Sequence, residues 1–352
     1  MLALLCRAAC AVTISNVKPL LDTRGETVRA KDGNIVWSEG RWYKMGMSYG
    51  LCQEPAGGDG CVNGSVGACG FRLDHNISLY ASEDLSSGSW GLVAKNILPV
   101  AARPAGIYFA PKIFWHAAMK QWVLWVNYLY DPAKYSFSRS QYLTATAATP
   151  AGPFIVQQTN ASVLQLPGGD FDIFTEGSEA YIIYTSHLTE PKGERNHMMS
   201  VERLRPDWLS SSGESSGFFG SDFVEAPVML KRGAFYYALF DHCCCFCGGG
   251  SGAIVHTAPH PLGPWTAQNQ IGAYANGSSV TQAQQRSVFA YPHAAAEPVW
   301  VWMGNRWQSA PDGVKDHDFE TWLPIEFAPQ AGETPPLPKP MVWQDSWSLG
   351  PA

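Results

Sequence analysis

Five short segments in which large apolar side chains crowd an extended backbone recur along this chain. They are Gly40-Arg41-Trp42-Tyr43-Lys44-Met45, Gln121-Trp122-Val123-Leu124-Trp125-Val126, Glu179-Ala180-Tyr181-Ile182-Ile183-Tyr184, Ala234-Phe235-Tyr236-Tyr237-Ala238-Leu239 and Val299-Trp300-Val301-Trp302-Met303. Their spacing is roughly 55 to 80 residues. Between them lie second strand signals at Ile77-Ser78-Leu79-Tyr80, Gln141-Tyr142-Leu143-Thr144-Ala145, Met198-Met199-Ser200-Val201-Glu202 and Ala253-Ile254-Val255-His256-Thr257. Each unit reads as an antiparallel sheet. Two units share an ending, Pro150-Ala151-Gly152-Pro153-Phe154 and Pro261-Leu262-Gly263-Pro264-Trp265, so the same turn chemistry follows the third strand in both. Period-2 patterning with Gly and Pro punctuation, and no long 3.6-residue period, excludes a helical bundle and argues against a doubly wound sheet. Radial repetition of four-stranded sheets protects the edges of such units. The expected fold is all-β, a five-bladed β-propeller, which suits 352 residues.

No linker divides the chain into halves. Residues 16–330 are expected to form the propeller and residues 331–352 a Pro-rich tail running back over its surface. Residues 1–15 read as a truncated signal segment, with an apolar run, Arg7 interrupting it and a small-residue Ala9-Cys10-Ala11 ending. The Ser- and Gly-rich stretch from Leu209 to Gly220 reads as an insertion loop. A net charge of −6 provides no basic stripe for nucleic acid. Nine cysteines fall into Cys6 and Cys10, the group Cys52, Cys61 and Cys69, and the run Cys243, Cys244, Cys245 and Cys247. They lack the paired knuckles of a zinc site, and Asn63, Asn76, Asn160 and Asn276 each open a glycosylation triplet, so disulfides in an oxidising compartment are expected. The run is expected to pair within itself or with the Cys52, Cys61 and Cys69 loop. No stretch approaches the length of a membrane span. A soluble monomer, secreted or in the lumen of the secretory pathway, is the expectation. No cofactor is expected; a structural Ca²⁺ is not indicated, and Asp316-His317-Asp318 reads as a solvated acidic loop.

A carboxyl at the head of a short strand, Glu225-Ala226-Pro227-Val228-Met229, and a late Gly304-Asn305-Arg306-Trp307 point towards glycoside chemistry. So do Ala30-Lys31-Asp32-Gly33-Asn34-Ile35 before Trp42-Tyr43, Pro111-Lys112-Ile113 before Val123-Leu124-Trp125, Asp170-Phe171-Asp172-Ile173-Phe174, Gln284-Gln285, and Trp322-Leu323-Pro324. With these segments, over nearly its full length, the chain resembles glycoside hydrolase family 43, and within it the exo-β-1,3-galactanase-like subgroup. The resemblance implies a funnel at the propeller axis that holds one terminal sugar of an oligo- or polysaccharide and releases it with inversion. Two groups are then required: one protonates the leaving oxygen, and one serves the attacking water on the opposite face, roughly 6.5–9.5 Å away when both are carboxyls.

By the same resemblance Glu225 is the general acid and Asp170 the carboxylate that tunes it, with Asp172 as the second choice. The usual aspartate base is missing from the subgroup, and a glutamine stands near the water. Gln284 matches that position best, Gln282 and Gln285 compete, and Asp32 remains the alternative base. A glutamine more readily orients water than deprotonates it. Trp125, Tyr135, His242, Arg306 and Trp307 are the expected sugar contacts. The chain departs from the subgroup at Phe109, where an acidic sugar-binding residue is usual, at Ala110, at Lys31, and in the loop from Asp241 to Cys247. A glycan-binding propeller without a working base, an arabinosidase or xylosidase, and an interaction propeller stand as alternatives. In an interaction propeller Glu225, Asp170 and Gln284 would not converge.

Overall fold

The computed structural model describes residues 11–54, 64–188, 197–221, 223–242, 246–292, 297–330 and 332–350. The first strand is β1 (Val12–Ser15). Four blades of four antiparallel strands follow: β2 (Ile35–Ser38), β3 (Arg41–Ser48), β4 (Asn76–Ser82) and β5 (Gly91–Ala94); β6 (Ile107–His116), β7 (Gln121–Leu129), β8 (Ser140–Ala147) and β9 (Ile155–Gln158); β10 (Gly168–Glu176), β11 (Glu179–Ser186), β12 (Met198–Leu204) and β13 (Ser211–Phe219); β14 (Val224–Arg232), β15 (Phe235–His242), β16 (Ile254–Ala258) and β17 (Thr266–Gln270). The fifth blade has three strands, β18 (Gln284–Tyr291), β19 (Val299–Arg306) and β20 (Phe319–Ile325), and β21 (Ser346–Leu349) closes the chain. The first strand of each blade touches the first strands on either side, so five of them ring an axis. This is a five-bladed β-propeller.

The recurring aromatic segments are the second strands of the blades. Both faces of such a strand pack against neighbouring blades, so β3 and β7 are buried almost continuously. The outer strands β5 and β9 carry short, half-exposed sequences. That gradient explains a correction: the Ser- and Gly-rich stretch forms the outer strand β13 rather than an insertion loop. An edge strand needs ladder bonds more than apolar side chains. Here Ser216 Oγ accepts the Val201 N–H at 2.9 Å where the β12–β13 register slips. In the shared endings, Gly152 and Gly263 take left-handed φ values of 82° and 96°, which only glycine adopts without strain.

Among the described residues neighbouring blades share no strand ladder, and side-chain amides join them instead. Asn34 exchanges two hydrogen bonds with the backbone of Ile113, and Asn127 donates to the Gly168 carbonyl at 3.0 Å. The largest such joint closes the ring. Strand β1, inside the segment expected to be signal, pairs with β21, and the fully buried Asn16 next to it stands in for a missing fourth strand. Its Nδ2 donates to the carbonyls of Trp322 and Gln344, and its Oδ1 accepts the Trp322 N–H at 2.8 Å. Replacing Asn16 with Ala should orphan these groups and cost about 2–4 kcal/mol of stability. Urea denaturation measures this, and a change within about 0.5 kcal/mol would show that water replaces the amide.

The tail runs back over the fourth blade: Tyr237 donates its hydroxyl to the Pro336 carbonyl, and the Met341 N–H donates to the Ile271 carbonyl. Asp316 and Asp318 are buried rather than solvated. Asp316 accepts Ser48 Oγ and the Tyr49 and Gly50 N–H groups, whereas Asp318 accepts the N–H groups of Gln308, Ser309 and Ala310. Both staple loops. Cys52 is bonded to Cys69 and Cys247 is also disulfide-bonded, so a link from the run to this loop has only Cys61 left. Cys6, Cys10, Cys61, Cys243, Cys244, Cys245 and Asn63 lie outside the described residues. No described helix is long and apolar enough to cross a membrane.

Candidate active site

One backbone device recurs at the heads of the axial strands. β6, β10, β14 and β18 each slip register there, between Phe109 and Lys112, Gly168 and Phe171, Glu225 and Val228, and Gln285 and Ser287. A bulge of this kind bends the strand and re-aims a side chain, and bulges gather at barrel rims and next to active sites. Two of them contain alanines at positive φ, Ala110 (46°) and Ala226 (52°). The first blade uses a turn instead, with Asp32 at φ 66° before Gly33. A Cβ on Gly33 would lie 1.8 Å from the Met45 carbonyl oxygen, so only glycine lets this turn sit against β3. Every blade thus presents side chains at one end of the axis.

Arg286 is the hub of those side chains. Its Nε lies 2.7 Å from Asp32 Oδ1, an ion pair without hydrogen-bond alignment, and its NH1 donates to Asp170 Oδ2 at 2.7 Å. The remaining guanidinium nitrogen donates to Gln284 Oε1. Gln284 then donates through Nε2 to Glu225 Oε1 at 2.5 Å, while its Oε1 also accepts the Trp307 indole N–H at 2.8 Å. Glu225, Asp170 and Gln284 therefore converge, together with Asp32. Burial opposes the charge on Arg286, but the facing Asp170, Asp32 and Glu225 carboxylates outweigh it and hold its pKa above the ordinary guanidinium value.

Asp32 is itself almost fully buried, and its Oδ2 accepts the Tyr49 hydroxyl at 3.1 Å and the Ala110 N–H at 2.9 Å. Burial raises its pKa, and Arg286 pulls it back only in part. Asp170 is more open than Asp32, with 17% of its side chain exposed. Behind the site, Lys315 places its ammonium 3.6 Å from the Phe246 ring centre, 4.1 Å from Trp307 and 5.2 Å from Tyr49. Two of these rings hold Gln284 and Asp32. The buried lysine therefore fixes the aromatic partners of the site by cation–π attraction.

Other expected site residues lie elsewhere. Asp172 sits further along the axis, 3.9 Å from Lys112 Nζ, and burial raises its pKa to about 6 against the pull of that lysine. Gln285 points the other way and joins two blades, donating to the Ala226 and Leu239 carbonyls and accepting the Trp302 indole. Gln282 is held by Arg306, whose other nitrogen donates to the Asn16 carbonyl, so both belong to the ring closure. Trp125 is wholly buried and donates to the Trp208 carbonyl, leaving no face for a sugar. Tyr135 packs against Phe71 and Phe137, and His242 is exposed at the end of β15. Trp307 alone among the five expected sugar contacts bonds directly to the Gln284 amide. At the position where an acidic residue was expected, Phe109 joins the rings of Phe71, Phe137 and Phe246.

Arg286, Tyr49 and Asp241 were not singled out from the sequence. Arg286 carried the clearest signal, since it stands two residues after Gln284 and so on the same strand face. Among the described residues no group of His, Cys, Asp and Glu is arranged to hold a metal ion.

No protein-family model matches the chain, and neither does any curated protein. Solved structures do. An exo-β-1,3-galactanase from Clostridium thermocellum is similar at 17% identity and TM-score 0.73, over 95% of this chain and 66% of that one. One from Phanerochaete chrysosporium with galactose is 20% identical at TM-score 0.69, over 96% and 68%. A family 43 β-1,3-galactosidase with galactodeoxynojirimycin is 19% identical at TM-score 0.73, over 95% and 99%. The chain spans about two thirds of the first two and nearly all of the third. At these identities the likeness establishes a shared fold.

Proposed function

We propose that the chain is an exo-acting, inverting glycoside hydrolase that removes a terminal galactose from β-1,3-galactan or from arabinogalactan side structures. The observation that carries the reading is the convergence of Glu225, Gln284, Arg286, Asp170 and Asp32 from four of the five blades onto one end of the axis. The galactanases and galactosidase with the same fold support the substrate class. Glu225, buried at the head of β14, is the proton donor to the glycosidic oxygen. Gln284 fixes that carboxyl. Its oxygen accepts two donors already, so the amide orients groups around it and does not take a proton. Asp170, held by Arg286 yet with 17% of its side chain exposed, acts on water or on the acid. The Cys52–Cys69 bond supports an oxidising, extracellular setting, and the protein acts as a monomer on a polysaccharide.

One observation favours a second reading. Asp32 Oδ2 and Gln284 Oε1 each already accept two donors, and Asp32 Oδ1 is ion-paired to Arg286, which suits a glycan-binding propeller without a working base. Incubation with β-1,3-galactotriose and with a panel of arabinosides and xylosides, followed by proton NMR, separates the readings. Galactose appearing first as the α-anomer is the expected result. Binding without release would favour the second reading, and release of arabinose or xylose in place of galactose would reassign the substrate.

A further inference from the structure

We infer that Asp241 and Glu225 form a coupled carboxyl pair sharing one proton, and that Asp241, more than Asp170, keeps Glu225 in its acid form. The inference rests on the proposed role of Glu225. The two residues are direct register partners, Glu225 on β14 and Asp241 on β15, at the last pairing before the bulge. Residues so paired place their Cβ atoms about 4.5–5.5 Å apart. Asp241 is fully buried. Its Oδ2 accepts the Ser251 hydroxyl at 2.6 Å and the Gln285 N–H at 3.1 Å, whereas its Oδ1 is buried without a hydrogen-bond partner among the described residues. That oxygen is the natural acceptor for the proton that Glu225 carries.

The groups around Glu225 divide by element. From β18 come the Gln284 amide and the Arg286 cation, from β10 the Asp170 carboxylate, and from β15 Asp241, with His242 opposite the neighbouring Val224. His197 offers its backbone carbonyl to the Val224 N–H. Arg286 neutralises Asp170 directly at 2.7 Å, and it spends its other nitrogens on Asp32 and Gln284. Among the described residues Asp241 has no such ion pair, and only the more distant charge of Arg286 draws on it. Burial pushes its carboxyl well above the usual range and the charge of Glu225 pushes it further, the pattern of two carboxyls that cannot both ionise. During turnover the pair passes its proton to the leaving oxygen and regains one from solvent after water has added to the sugar.

The test compares Asp241→Asn with Asp170→Asn. Asparagine keeps an oxygen for Ser251 and Gln285 but carries no charge. The alkaline limb of kcat/KM on β-1,3-galactobiose should move down by about one pH unit or more in Asp241→Asn, and less in Asp170→Asn. Asp241→Glu should restore part of the shift. A uniform loss of rate with the limb in place would overturn the pairing and leave Asp241 a packing residue. A second measurement needs no turnover: pH-difference infrared spectroscopy reads protonated carboxyls in the wild type and in Glu225→Gln. A buried acid that ionises at lower pH once Glu225 is gone supports the pair, and an unmoved one refutes it. If the wild type releases no sugar, the proposed function fails while the infrared measurement still decides the pairing.

Discussion

Turnover of unactivated galactosides should fall by roughly 10²–10⁴ when Glu225 is replaced with Gln, with KM nearly unchanged. The substitution keeps the shape, and the new carbonyl can still accept the Gln284 Nε2–H that Glu225 Oε1 accepts at 2.5 Å. What disappears is an acidic proton for the departing oxygen. Substrates with a phenolic leaving group need little protonation, so their loss should be much smaller. Steady-state kinetics on galactobiose and on an aryl galactoside check both halves. An equal loss on the two substrates would remove Glu225 from the role of proton donor and make it a binding residue.

The largest effect on the fold should come from Arg286→Met. Methionine fills similar volume but leaves Asp32 and Asp170 without their shared counter-ion in a buried place. Breaking a buried ion pair from one side costs about 3–5 kcal/mol. The sign of its pH dependence follows from the carboxylates. In the variant, the folded pKa of Asp32, already raised by burial, rises further above its unfolded value, so the folded state binds more protons. Stability lost at neutral pH should therefore return in part on acidification, down to the unfolded value near 3.8. Urea midpoints at several pH values test this. A loss that is constant across the range would assign Arg286 to packing.

The fold was legible because a propeller blade writes its signature in its second strand. That strand is packed on both faces, and so Trp42, Trp122, Tyr181, Tyr237 and Trp302 leave a dense apolar pattern at regular intervals. Outer strands leave almost none, and β13 was hidden for that reason. Glu225, Asp170 and Gln284 were legible only through their order along the chain, matched to a family. Arg286 was hidden because its partners Asp32 and Asp170 lie in other blades, far away in sequence, and no local pattern marks a residue that neutralises distant charges. Asp241 was obscured by the cysteines that follow it. Asp316 and Asp318 misled for the opposite reason, since a cluster of acids in sequence resembles a solvated surface until the backbone donors around it are seen.

The register slips at the heads of the axial strands make the axis mouth modular. Because each blade delivers its residue from its own local distortion, the mouth of the axis works as a socket whose positions can be refitted one at a time. A change at one position leaves the aim of the others intact. Phe109 illustrates this independence: its blade sends the Ala110 N–H to Asp32, while the neighbouring Phe109 side chain joins an aromatic wall. The lining of the axis mouth can thus be changed blade by blade while the Glu225 strand keeps its own aim.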